Sequence, residues 1–142
     1  MPKLPKVLLV DDDPTTLFLN TRLLQRLRVA EQVLVARNGS EALQTLQHLC
    51  PQPDEDAAPL LVLLDVHMPV MSGLAFLENY RQLPQARQCA AAIVVLTTSE
   101  HAHDLQRIQQ LGVAADVLTK PLTRLQVESV LQRHFQPSSP PG

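Results

Sequence analysis

The chain has no tryptophan, and aromatic residues make up only 3% of it. A surface for single-stranded nucleic acid needs stacking platforms, so this composition argues against that class. Positive charge is not in excess either. The formal net charge is −2, which supplies no global basic field for a nucleic-acid backbone. There are two cysteines, Cys50 and Cys89, too far apart for a CxxC pair. That spacing argues against a structural disulfide or a zinc site and favours reduced thiols. No apolar run approaches the roughly 18 residues of a membrane span. The N-terminal Met1-Pro-Lys-Leu-Pro-Lys6 leads straight into a strand-like run, without a secretory apolar region. The expectation is a cytoplasmic protein with no membrane and no direct nucleic-acid partner.

What remains is ample for one core. Of 142 residues, 45% are apolar, which suits a single domain over residues 1–136. Residues 137–142 form a polar, proline-rich tail expected to be disordered.

The most informative stretch is Leu60-Leu-Val-Leu-Leu-Asp65-Val-His67-Met-Pro69-Val-Met-Ser-Gly73. A continuous apolar run bounded by turn residues suits a strand buried on both faces. Asp65 sits where that strand leaves the core, and a carboxylate there needs a partner. Similar strands are expected at Lys6–Val10, Gln32–Ala36, Ala91–Leu96 and Ala115–Thr119. Helices fall between them. Asp13 caps the first, with Pro14 in its first turn, and leucines 17, 19, 23, 24 and 27 form a stripe running to Arg28. Asn20 lies within that stripe, an amide whose partner the sequence does not name. Asn38 and Glu41 resemble a capping box for a helix carrying Ala42, Leu43, Leu46 and Leu49. Residues 51–59 read as an exposed acidic loop. Ser72 caps a third helix with Leu74, Phe76, Leu77 and Tyr80, ending near Pro84. A fourth spans Glu100 to Leu111 with Gly112 at its C-terminal end. Thr123 and Gln126 begin a fifth, which runs to about Phe135.

Strand and helix alternate five times, so the fold class is α/β: a doubly wound, five-stranded parallel sheet with five helices. Right-handed crossovers place every strand's C-terminal end on one edge. Asp11-Asp12-Asp13, Asp65, Thr97-Thr98-Ser99 and Lys120 all end strands there. With strand order 2-1-3-4-5, the first and third strands flank the switch point, where such sheets bind ligands. Asp11, Asp12 and Asp65 then converge. Crowded carboxylates call for a cation, and hard oxygen ligands suit Mg²⁺. Lys120 adds a charge for a phosphoryl oxygen, and Thr97 a hydroxyl donor. Such a set serves phosphoryl transfer, in which an aspartate can be the nucleophile.

At these residues the chain resembles the receiver domain of bacterial two-component response regulators, most of all the stand-alone receivers of chemotaxis. The resemblance covers about residues 6–135 and rests on an ordered set: Leu-Leu-Val-Asp-Asp-Asp, Leu-Leu-Asp-Val-His-Met-Pro-Val-Met-Ser-Gly, Val-Val-Leu-Thr-Thr and Leu-Thr-Lys-Pro. It implies a flavodoxin-like fold and a phosphoacceptor rather than an enzyme. Asp65 matches the acceptor. Asp11 and Asp12 match the acidic pair that holds Mg²⁺ with Asp65, and His67 matches the position whose backbone carbonyl completes the metal shell. Thr97 matches the switch hydroxyl, Lys120 the phosphate-contacting lysine, and Lys120–Pro121 a cis peptide. His101 and His103 are read as solvated. Implied partners are a sensor histidine kinase or histidine phosphotransfer protein, a downstream protein target, and a second copy in a homodimer. With no effector segment in the remaining residues, output is expected through protein contacts on the fourth helix, fifth strand and fifth helix. Two departures stand out. Val117 occupies the place of the usual aromatic switch residue, and Leu122 follows Lys-Pro where phenylalanine is common. His67 and Ser99 fill the positions that tune phosphoryl lifetime.

Two other classes share parts of this pattern. An Mg²⁺-dependent phosphatase of the haloacid-dehalogenase type also uses an aspartate nucleophile. It places that residue on its first strand, with a second aspartate two residues on, where His67 stands here. A pseudo-receiver would be an interaction module without phosphorylation, which the intact set of Asp11, Asp12, Asp65, Thr97 and Lys120 opposes.

Overall fold

A computed structural model describes residues 4–49, 59–66, 71–83, 91–98 and 102–135. The acidic loop expected at 51–59, apart from Pro59, lies outside the described residues, as do both cysteines and the tail at 137–142. Elements follow in the order β1 (Leu4–Val10), α1 (Pro14–Arg26), β2 (Ala30–Ala36), α2 (Gly39–Leu49), β3 (Leu60–Asp65), α3 (Gly73–Gln82), β4 (Ala91–Thr97), α4 (Ala102–Leu111), β5 (Asp116–Thr119) and α5 (Arg124–Phe135). All strand pairs are parallel, in the order β2-β1-β3-β4-β5. The expected architecture and strand order are both observed.

The central strand shows why this sequence makes a two-sided sheet. Leu60, Val62 and Leu64 join one apolar cluster with Leu46 of α2, Phe76 and Leu77 of α3, and Ile108 of α4. Leu61 and Leu63 join the other with Leu17 and Leu24 of α1 and Val127, Val130 and Leu131 of α5. Successive side chains of a strand point to opposite faces, so an unbroken apolar run is what two helical layers require.

Helix starts follow their caps. The Asp13 carboxylate accepts from Thr15 N–H at 3.3 Å and from the Thr16 hydroxyl at 2.6 Å. The Thr16 hydrogen bond, foremost among its causes, holds the Asp13 carboxyl below its usual range. Thr123 and Gln126 form a reciprocal box, and the Gln126 amide also donates to the Thr119 carbonyl at 3.0 Å, tying α5 to the end of β5. At α2, Asn38 Oδ1 accepts from Glu41 N–H, but Glu41 reaches back one residue further, to Arg37 N–H at 3.2 Å. At the far end of α5, Arg133 and His134 both contact Asp116, at 2.8 and 3.3 Å.

Two expectations for α1 are corrected. Leu19 is 58% exposed, not part of the buried stripe. It lies two residues past buried Leu17, about 200° around the helix, so it points away from the sheet. The helix also ends at Arg26 rather than Arg28. Arg28 adopts φ 53°, its N–H donates to the Gln25 carbonyl, and Val29 N–H donates to the Leu24 carbonyl. This is a Schellman closure with arginine in the left-handed position, backed by burial of Val29 with Leu24. Without a glycine there, the sequence carried no stop signal. Gly112, by contrast, takes φ 66° after α4 as expected.

Candidate functional site

Strand register assembles the site. Val10 of β1 pairs with Leu64 of β3, so the next residues, Asp11 and Asp65, leave adjacent strands side by side. Thr97 of β4 pairs with Thr119 of β5, so Lys120 leaves beside Thr97. Lys120 N–H then donates to the Thr97 carbonyl at 2.7 Å. The Lys120–Pro121 peptide is cis, as the resemblance implied.

Asp11, Asp65 and Thr97 are buried polar residues, at 4%, 4% and 3% exposure. Lys120 Nζ lies 2.9 Å from Asp65 Oδ1 and 3.6 Å from Asp11 Oδ2. Asp11 Oδ1 accepts the Asp13 N–H at 2.9 Å. Burial raises the Asp11 carboxyl pKa. The Asp13 hydrogen bond opposes that rise and the neighbouring Asp65 charge adds to it. For Lys120, burial works against the ammonium, but the hydrogen bond it donates to Asp65 and the attraction of both carboxylates outweigh it and raise its pKa. The Thr97 hydroxyl donates to the Thr98 carbonyl at 3.2 Å.

Donor chemistry fits a hard divalent cation. Among the described residues, Asp11, Asp12 and Asp65 offer carboxylate oxygens within 4.8 Å of one another. Among the described residues, buried Asp11 Oδ2 has no hydrogen-bond donor within 3.5 Å, only the Lys120 ammonium at 3.6 Å, a situation a cation would relieve. Asp13 is not in this group, consistent with its service as a cap. His67 and Ser99 lie outside the described residues.

Lys120 also borders a groove of about 490 Å³ lined by Thr16, Leu19, Asn20 and Leu23 of α1 and by Pro121 and Leu122. Asn20 faces this groove. Val117 is half-buried and packs with Leu111, Val113 and Ala114 against the α2–α3–α4 cluster.

Two glycines shape the site, Gly73 doing more than mark the turn expected after Asp65. An α-hydrogen of Gly73 faces the Asp65 carbonyl so closely that a Cβ would stand 2.5 Å from it and 2.7 Å from Val66 Cα. Gly73 N–H donates to the Val66 carbonyl at 2.8 Å. A Cβ on Gly39 would meet Met71 Sδ at 2.9 Å. The available signal was glycine at the first helical position after a capping residue, where its poor propensity has no local reward.

This fold and edge define a class, and sequence comparison agrees with it: the profile of the response regulator receiver domain matches residues 7–132, and the chain belongs to that family. It is 32% identical over 130 residues to the probable chemotaxis protein CheY of Rhizobium etli, covering 92% of each chain. It is 35% identical over 128 residues, 89% of this chain, to the sensor histidine kinase GacS of Pseudomonas protegens, but spans only 13% of that protein's length. Among solved structures it is similar to the receiver domain of the sensor histidine kinase PA1611 from Pseudomonas aeruginosa, which has a magnesium ion coordinated in its active-site cleft. That match has TM-score 0.70 and 26% identity, covering 92% of this chain and 96% of that one. No described helix is long and apolar enough to cross a membrane.

Proposed function

We propose that Asp65 accepts a phosphoryl group from a phosphohistidine on a sensor histidine kinase or a histidine phosphotransfer protein. The observation that carries this reading is Lys120 Nζ at 2.9 Å from Asp65 beside a cluster of Asp11, Asp12 and Asp65 carboxylates in which, among the described residues, a buried Asp11 oxygen has no hydrogen-bond donor. Asp11, Asp12 and Asp65, with the backbone carbonyl of His67, would hold Mg²⁺. When bound, the cation supplies neutralisation of the charge on the transferring phosphoryl oxygens. An Asp65 carboxylate oxygen attacks phosphorus, the P–N bond breaks, and its electron pair leaves with the donor imidazole, which takes up a proton. The Lys120 ammonium donates to a phosphoryl oxygen. Thr97 turns its hydroxyl from the Thr98 carbonyl toward the same group.

With Val117 in the usual aromatic position, the backbone link from the Thr97 carbonyl to Lys120 N–H is the direct route from the site to β5 and α5. The α4–β5–α5 face then changes its affinity for a protein target or a second copy of the chain. The protein acts in the cytoplasm as a phosphoacceptor that assists its own phosphorylation and dephosphorylation, without turning over a separate substrate. Incubation with acetyl phosphate and Mg²⁺ should give a hydroxylamine-labile adduct on the wild type and none on Asp65→Asn. An unmodified wild type, or an equally modified variant, would sink the proposal.

A further inference from the structure

Met71, six residues after Asp65, is seated on the first residue of α2. Gly39 N–H donates to the Met71 carbonyl at 3.2 Å. A Cβ on Gly39 would lie 2.8 Å from Met71 Cγ, 2.9 Å from Sδ and 3.0 Å from Cβ. Cγ and Sδ stand too close for such a Cβ, and Met71 Cβ, at the edge of tolerable contact, limits how far the side chain can swing aside. The other side of Gly39 is also fixed. Three residues earlier, the Ala36 carbonyl accepts the N–H of Asp11 at 3.1 Å. A short chain of contacts therefore runs from the acidic turn, through the end of β2 and Gly39, to Met71 on the acceptor side. At its far end Gly73 rests on the Asp65 carbonyl.

We infer that Gly39 and Met71 are positioning residues: the bare α-carbon of Gly39 lets Met71 sit against α2 and fixes the chain at Met71 and Gly73, which rests on the Asp65 carbonyl, relative to Asp11. This rests on the reading of Asp65 as a cation-assisted phosphoacceptor. A displacement of the order of 1 Å can cost about a hundredfold in a reaction governed by positioning. Gly39→Ala forces such a displacement unless Met71 yields. It should slow adduct formation by about tenfold or more, while Met71→Ala removes Cγ and Sδ and leaves only the 3.0 Å contact with Cβ, so the extra methyl costs far less in that background.

The experiment is a double-mutant cycle on the full chain, comparing wild type, Gly39→Ala, Met71→Ala and the double variant. Each is read by the rate of adduct formation from acetyl phosphate and by the rise in melting temperature on adding Mg²⁺. The expected pattern is a large loss when Gly39→Ala is made in the wild type and little further loss when it is added to Met71→Ala, with the Mg²⁺-induced rise following the rate. Equal losses in both backgrounds, or no loss at all, overturn the inference. If Gly39→Ala does not fold, Met71→Ala decides: a loss of threefold or more in rate, with a folded far-ultraviolet spectrum, supports it, and an unchanged rate overturns it. A wild type that takes no adduct refutes the phosphoacceptor reading itself. The Mg²⁺-induced rise across the four proteins then decides the positioning inference alone.

Discussion

Replacing Asp11 by asparagine should make the metal-free protein more stable and its cation site weaker. The carboxylates of Asp11 and Asp65 lie within 4.8 Å of each other and both are buried. Two unit charges at that separation repel by about 1 kcal/mol in water and about 3.5 kcal/mol at an effective dielectric near 20. Lys120 offsets part of this, at 2.9 and 3.6 Å from the two groups. Asparagine keeps an oxygen for the Asp13 N–H and removes one buried charge. The expected gain is about 1–2 kcal/mol in chelator, or roughly 3–6 °C in melting temperature. Mg²⁺ at a hundredfold excess over its dissociation constant should stabilise the wild type by about 2.7 kcal/mol, and the variant by less than half of that. The pH dependence has a definite sign. The Asp11 carboxyl binds its proton more tightly folded than unfolded, so its ionisation destabilises the native state above the raised pKa and stops doing so below the unfolded value. In metal-free buffer the advantage of Asp11→Asn should therefore shrink as the solution is acidified through that range. Urea unfolding followed by circular dichroism, with chelator or Mg²⁺, measures all three quantities. A variant less stable than wild type in chelator, or one that keeps the full Mg²⁺ increment, refutes the account of a crowded site awaiting a cation.

Gly73→Ala would place a Cβ 2.5 Å from the Asp65 carbonyl oxygen, so it should lower stability by about 1–3 kcal/mol and abolish most adduct formation, seen by urea unfolding and intact mass. Lys120→Met leaves the two buried carboxylates without their ammonium. With the Lys120 side chain 26% exposed, the expected loss is about 2–3 kcal/mol, below the range for fully buried pairs, and Mg²⁺ should restore part of it in a thermal melt. Arg28→Gly relieves a left-handed arginine at the end of α1 and should add about 0.5–1 kcal/mol by chemical denaturation, without altering adduct formation.

Most of the architecture was legible because its signals are local. The run Leu60–Leu64 suits a strand covered by helices on both faces, as in a parallel sheet, and strand order then brings Asp11, Asp65, Thr97 and Lys120 together. Caps at Asp13, Asn38, Ser72 and Thr123 stood where helices begin. The misreadings lie where tertiary packing decides. Leu19 has the same composition as its buried neighbours but faces outward, and α1 stops at a Schellman turn whose sign is the burial of Val29 on Leu24, not a glycine. Gly39 and Gly73 matter through what their missing side chains allow to approach from distant segments, which no local pattern announces.

The proposed phosphoacceptor is Asp65, and its modification can be read chemically. Reduction with borohydride converts an aspartyl phosphate to homoserine, so peptide mass mapping after phosphorylation with Mg²⁺ reads the modified position directly. Homoserine is expected at position 65, dependent on Mg²⁺ and absent with chelator. Homoserine at another aspartate, or a phosphoryl group on a side chain that borohydride leaves unchanged, would contradict it.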